Sequence, residues 1–345
     1  MKQCPQCGTE YANDKLQFCP KCRVKLVEVP QEVRCPQCGE ILDEPDFCPY
    51  CGWAQTNNHS EPVTSNTQTN ASNKQMSDKQ ERDWLWQEVE KCLRCGDFTG
   101  AVPFLEKAAA KGHVRSAYIL GNNYYTGLGV TIDLNKAFKY FLQAAEGGDV
   151  DAMNGLAYCY GSGQGVAQNK QKMIEWGTKA AEAGDAAAQR NLGECYYSGD
   201  GVASDLNKSF FWYSKAANQG DVAAQCILGT FYQKGEGTNV DFNEAAKWFL
   251  KAAEKGIPQA QAEIGNYYIN GWGVQKNISE GLKWLEMAVK QKCPKAYAYL
   301  GQCYLTGTGV NQNYSEAFNL FKLAVEQGNA EGQGLLAIMY LHGIG

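Results

Sequence analysis

No apolar run in this 345-residue chain approaches the roughly 20 residues that a bilayer-spanning helix needs, so a membrane-spanning role is not expected. The opening MKQCPQCG has no apolar stretch of the kind that marks a secretory leader, and the expected location is the cytoplasm. A basic excess is missing too. With 32 Lys and Arg against 37 Asp and Glu, the net charge of −5 argues against chain-wide affinity for nucleic acid or an anionic membrane. Histidine is scarce: the three, His59, His113 and His342, accompany no Ser, Cys or carboxylate in a recurring constellation, so an enzyme is not expected.

What the chain does have is a period. Leu120, Leu156, Leu192, Leu228, Ile264, Leu300 and Leu336 stand 36 residues apart, and a Tyr follows four later each time, from Tyr124 to Tyr340. A period of this length marks a solenoid whose units bury their apolar faces by stacking on one another. In the copy around Leu192, Ala188, Leu192 and Tyr196 form one stripe of a first helix, A, and Gly193 beside it suits close approach of a neighbouring backbone. Gly199 and Gly201, repeated at 127/129, 163/165, 235/237, 271/273, 307/309 and 343/345, fit a left-handed cap followed by a turn. Because each Gly-x-Gly follows a helix and not a strand, it is not read as a phosphate loop.

A second helix, B, is expected to open at Asp97, Asp133, Asn169, Asp205, Asp241, Asn277 and Asn313, short side chains able to accept from a first helical turn. Glu244, Glu280 and Glu316, three residues later, read as capping-box partners. Gly148, Gly184, Gly220, Gly256 and Gly328 close helix B, and Pro258 and Pro294 fall on the first position of the next helix A. The unit is an antiparallel helix hairpin.

These copies, for instance LGECYYSGDGVASDLNKSFFWYSKAANQGDVAAQ, closely resemble Sel1-like repeats, relatives of tetratricopeptide repeats with a longer glycine-containing loop. The resemblance covers residues 114–345 and implies an all-α fold, a right-handed α/α solenoid, acting as a protein-interaction scaffold. Departures are local: Ala157 and Ala337 replace the small Gly, Gly161 and Gly177 loosen the second unit, and Lys292 replaces a terminal Gly. Residues 80–113 look like a tetratricopeptide-type capping hairpin, with Trp84, Leu85, Val89 and Leu93 on its first helix.

Eight of the 15 cysteines form C-x-x-C pairs in the first 51 residues: Cys4/Cys7, Cys19/Cys22, Cys35/Cys38 and Cys48/Cys51. Two such pairs can close a tetrahedral thiolate site around one ion. Residues 1–53 resemble the double zinc ribbon family. We expect one zinc on Cys4, Cys7, Cys19 and Cys22 and a second on Cys35, Cys38, Cys48 and Cys51; a cross-braced pairing, with longer loops, is the alternative. With no open coordination position, both ions are read as structural, although clustered thiolates also suit a redox switch. Nucleic-acid binding through the ribbons is the second functional reading: Lys2, Lys15, Lys21, Arg23, Lys25 and Arg34 lie in the first module, whereas the second has acids and no bases. Cys92 and Cys95 have no second pair nearby, and Cys159, Cys195 and Cys303 share one repeat position, as side chains buried or half-buried in a reducing compartment.

Residues 54–79, rich in Asn, Ser, Thr and Gln, are expected to be a disordered linker. The chain stops early in a new copy whose helix A carries Leu335, Leu336, Ile338, Met339 and Leu341, an apolar edge expected to be a truncation or to be covered by a partner or a second chain. The partner groove is expected two and five residues after each repeat Leu, on the concave wall. Those positions are Asn122, Tyr125, Tyr158, Glu194, Tyr197, Thr230, Gln233, Asn266, Ile269, Gln302 and Leu305, joined by Arg190. They vary between copies while the apolar stripe does not, and the partner is expected to be a segment of another protein.

Overall fold

The computed structural model describes residues 2–3, 10–11, 27–28, 33–34, 41–42 and 77–344. The chain divides into one unit at Met1–Asn73 and another at Lys74–Gly345. The eight cysteines assigned to zinc, and residues 54–76 of the expected linker, lie outside the described residues.

In the first unit, β1 (Lys2–Gln3) pairs antiparallel with β2 (Glu10–Tyr11) and with β3 (Val27–Glu28), and β4 (Val33–Arg34) pairs with β5 (Ile41–Leu42). Lys2 faces Tyr11 and Val33 faces Leu42, so each pair flanks one C-x-x-C in the sequence at the same offset, Cys4/Cys7 in one and Cys35/Cys38 in the other.

The second unit is an all-helical solenoid. Helix α1 (Asp78–Arg94) starts inside the expected linker, because Ser77 and Gln80 form a reciprocal capping box that nucleates it. It pairs with α2 (Phe98–Ala110). On α1 only Leu85 and Val89 are buried; Trp84 is exposed and meets Phe104 edge-on. Six hairpins follow. The A helices are α3 (Val114–Thr126), α5 (Val150–Ser162), α7 (Ala186–Ser198), α9 (Val222–Lys234), α11 (Pro258–Asn270) and α13 (Pro294–Thr306). Their B partners are α4 (Leu134–Glu146), α6 (Lys170–Glu182), α8 (Leu206–Asn218), α10 (Phe242–Glu254), α12 (Ile278–Lys290) and α14 (Tyr314–Glu326). A last helix A, α15 (Ala330–His342), closes the described chain.

The ends form where local chemistry places them. Every expected Asp or Asn from Asp97 to Asn313 is the N-cap of its helix B and accepts a backbone N–H. From Asp133 to Asn313, the N-cap N–H donates to the carbonyl of the repeat Tyr, as Asp241 does to Tyr232 at 2.9 Å, and so closes the loop between A and B. Two of the three expected capping-box partners act differently: Glu244 and Glu280 turn to Lys247 and Lys283, one helical turn on. Left-handed glycines cap every repeat helix A, and Lys292 holds the same conformation at φ 59°, without glycine's freedom.

Packing refines two expectations. The Gly beside the repeat Leu accommodates a ring of helix B more often than a backbone: Phe141 lies on Gly121, Tyr213 on Gly193, Phe249 on Gly229 and Phe321 on Gly301, while Gly265 alone meets a backbone, the carbonyl of Gly281. The repeat Leu or Ile is buried from 120 to 300, but the repeat Tyr is buried only at Tyr124 and Tyr160. Elsewhere its ring leans on the preceding helix B, as Tyr232 does on Phe210 and Tyr340 on Phe318. On α15, Met339 is buried, whereas Tyr340 and Leu341 are exposed.

Candidate functional site

Among successive A helices, α3 touches α5, α11 touches α13 and α13 touches α15, whereas no two successive B helices make a comparable contact among the described residues. At those three steps the A side of the solenoid is the more closely packed one, and every groove position sits on an A helix.

Groove side chains of neighbouring A helices come together in three cavities. Asn122, Tyr125 and Tyr158 line one of about 320 Å3, with the Tyr125 and Tyr158 rings edge-to-face at 6.1 Å. Glu194, Tyr197 and Thr230 line a second of about 200 Å3, and Asn266, Ile269 and Gln302 a third of about 410 Å3. Each combines residues of two neighbouring A helices, because stacking at a constant period sets equivalent positions side by side.

The remaining positions are tied up elsewhere. Arg190 pairs with Asp221, the N-cap of the next helix A, at 3.2 Å, and Gln233 donates to Glu263 at 3.4 Å. Leu305 packs against the cluster around Phe321 and Met339. Two lining residues are partly committed: Glu194 accepts from the Tyr213 hydroxyl at 2.6 Å, and Ile269 is buried against Gly281. The wall thus presents amides and tyrosines, with most of its charges already paired.

Sequence reasoning missed Glu263. Its buried carboxylate accepts from Lys295 at 2.6 Å, Tyr299 at 3.4 Å and Gln233, joining three A helices. Burial opposes the charge of Lys295, but the Glu263 carboxylate outweighs that and holds the ammonium above its ordinary range. Burial also raises the nearby Glu331 carboxyl. The available signal was an acid at a position where no other copy carries a charge, the equivalents being Ile119, Gly155, Asn191, Ile227, Tyr299 and Leu335.

Burial pushes the Cys159, Cys226 and Cys303 thiols up to about 11, away from the reactive thiolate form. His113 is the N-cap of α3, with Nδ1 toward the Ser116 N–H.

Comparison with known proteins matches the chain to the Sel1 repeat at residues 114–149, 150–185, 186–221, 222–257, 258–293 and 294–329, and to the double zinc ribbon at 4–52. The ribbon match implies zinc binding, and its donor set of four C-x-x-C pairs fits an ion that favours tetrahedral thiolate coordination. Among solved structures, a protective antigen of uropathogenic Escherichia coli strains displaying an SLR fold is 29% identical, with a TM-score of 0.65, covering 77% of this chain. The match spans 59% of that antigen, less than two thirds of its length. A Sel1 repeat protein from Oxalobacter formigenes is 26% identical with a TM-score of 0.60, covering 70% of this chain and 96% of its own. No curated protein matches the chain.

Proposed function

Because the chain belongs to the Sel1 repeat family, whose solenoids generally serve as protein-interaction scaffolds, we propose that its A-helix wall holds a segment of another protein. The observation that carries this reading is the row of cavities between neighbouring A helices, lined by Asn122, Tyr125 and Tyr158, then Glu194, Tyr197 and Thr230, then Asn266, Ile269 and Gln302. Amides pair with a backbone and tyrosines cover side chains, which suits an extended or helical segment. The ribbons add a second recognition module, with one zinc held by Cys4, Cys7, Cys19 and Cys22 and another by Cys35, Cys38, Cys48 and Cys51.

The test replaces Asn122, Tyr197 and Asn266 together by Ala in the full chain. Partners identified by affinity capture on the unaltered protein are purified, and binding is measured by calorimetry. Loss of about 2 kcal/mol or more, with an unchanged helical spectrum, is the expected result for central contacts. Unchanged affinity for every partner overturns the groove reading.

A further inference from the structure

One position of the repeat is filled in five copies and vacant in the sixth. Helix B carries Phe141, Tyr213, Phe249, Leu285 and Phe321 at 36-residue steps, and each of these side chains is buried. The step between the first two falls on Gly177, which has no side chain. The small residue across the hairpin is exchanged as well, Ala157 standing where Gly121 accommodates Phe141. One methyl group has taken the place of a ring.

The helices do not close over the deficit. A cavity of about 300 Å3 remains between α5, α6 and α7. In the first repeat, the Phe141 ring lies against Gly121, Gly155, Tyr118 and Tyr125. Their counterparts 36 residues on, Ala157, Asn191, Asn154 and Gly161, all line the cavity. The void therefore occupies the site of the missing ring. Removing a buried aromatic ring is among the costliest changes to a core, and apolar cavities of about 150 Å3 take up benzene, so a space of this size and lining favours an aromatic guest.

We propose that this cavity is a socket for a phenylalanine or tyrosine side chain of a partner protein's bound segment, which supplies the ring that repeat two lacks. The assignment rests on the A-helix wall being the protein-binding face. Two observations select a side chain of a segment as the occupant. Asn154 and Tyr158 line both this cavity and the neighbouring one that contains Asn122, so a chain lying along the wall passes directly over the socket. The interior is apolar, with Met173 and Cys195 sulfurs suited to an aromatic side chain, while Asn191 and Asn154, whose Nδ2 donates to Asp185 at 3.1 Å, put amide oxygens on the lining that a segment's backbone N–H groups can use.

The test uses the full chain with p-cresol, the tyrosine side chain, as probe, followed by ligand-observed NMR. Ala157→Gly combined with Gly177→Phe rebuilds the pair found at Gly121 and Phe141 and fills the socket from within; if that variant does not fold, Ala157→Leu fills it from the opposite wall. The unaltered chain is expected to bind p-cresol at millimolar concentration. The filled chain is expected to lose that binding, keep its thermal midpoint, and bind the purified partner about tenfold or more weakly. Absence of p-cresol binding to the unaltered chain, equal p-cresol binding to the filled chain, or undiminished partner affinity of the filled chain each overturns the socket. The Asn122, Tyr197 and Asn266 triple variant separates the two readings, since it leaves the socket intact. If it binds partner normally while the filled chain does not, the wider groove fails and the socket stands; the reverse result fails the socket alone.

Discussion

His113 caps α3 with a ring nitrogen where α5, α7 and α9 use an aspartate oxygen. Its Nδ1 accepts the Ser116 N–H at 3.2 Å and lies 2.7 Å from the Ser116 hydroxyl, and the ring packs against Trp86. Burial first, and then the Arg82 guanidinium on α1, hold the imidazole below its ordinary value of 6.5, with Asp83 opposing. A protonated Nδ1 cannot accept, so the folded cap requires the neutral ring. The unfolded chain takes up the proton first as pH falls. The cap's contribution is therefore fully present above about 6.5 and is lost as pH drops through the lower folded value. Thermal melts at pH 7.5 and 5.5 should show a smaller drop for His113→Asn, which caps without titrating. An equal drop in both proteins would remove the imidazole from the account.

At the scale of the helix hairpin, the two glycines of each Gly-x-Gly loop have different duties. Gly235 ends α9 in the left-handed conformation, and a Cβ there meets a methyl of Val240, the end of a side chain that can yield. At Gly237, also left-handed, a Cβ runs into the carbonyl of Leu206, the first residue of α8 in the preceding repeat. Gly129, Gly165 and Gly273 approach the first residue of the previous helix B in the same way. The second glycine is thus a contact between repeats. Gly235→Ala should cost about 1–2 kcal/mol for the backbone conformation alone, and Gly237→Ala about 3 kcal/mol or more, because backbone must also move. Urea unfolding of the two variants compares them directly; equal losses would mean that the approach to Leu206 carries no energy.

For the whole molecule, the expected separation of duties can be tested through the metal. All eight expected zinc ligands precede residue 52, and no group of three or more His, Cys, Asp or Glu suited to a metal occurs among the described residues. Metal analysis of reduced protein should find two zinc ions per chain, and Cys4→Ser should lose one. A strong chelator should remove both while leaving the helical circular dichroism nearly intact, because the solenoid's stability comes from repeat-on-repeat packing. A single ion per chain, or loss of both from Cys4→Ser, would overturn the paired assignment.

The sequence alone determined the repeat, the helix ends and the face on which each helix packs. Asp205 as an N-cap, Gly199 as a left-handed cap and Pro258 on the first helical position depend on bonds and dihedrals within a few residues, so residue type at a fixed spacing suffices. Contacts between repeats were decided by the tertiary structure. The ring of Tyr213 on Gly193, the approach of Gly237 to Leu206, the Glu263 and Lys295 pair and the vacancy where Gly177 faces Ala157 join residues about 20 to 32 apart in the chain. Local periodicity states that such residues are neighbours. Which atoms touch depends on how far one hairpin is rotated and shifted on the next, a quantity fixed by the packing of all the side chains between them.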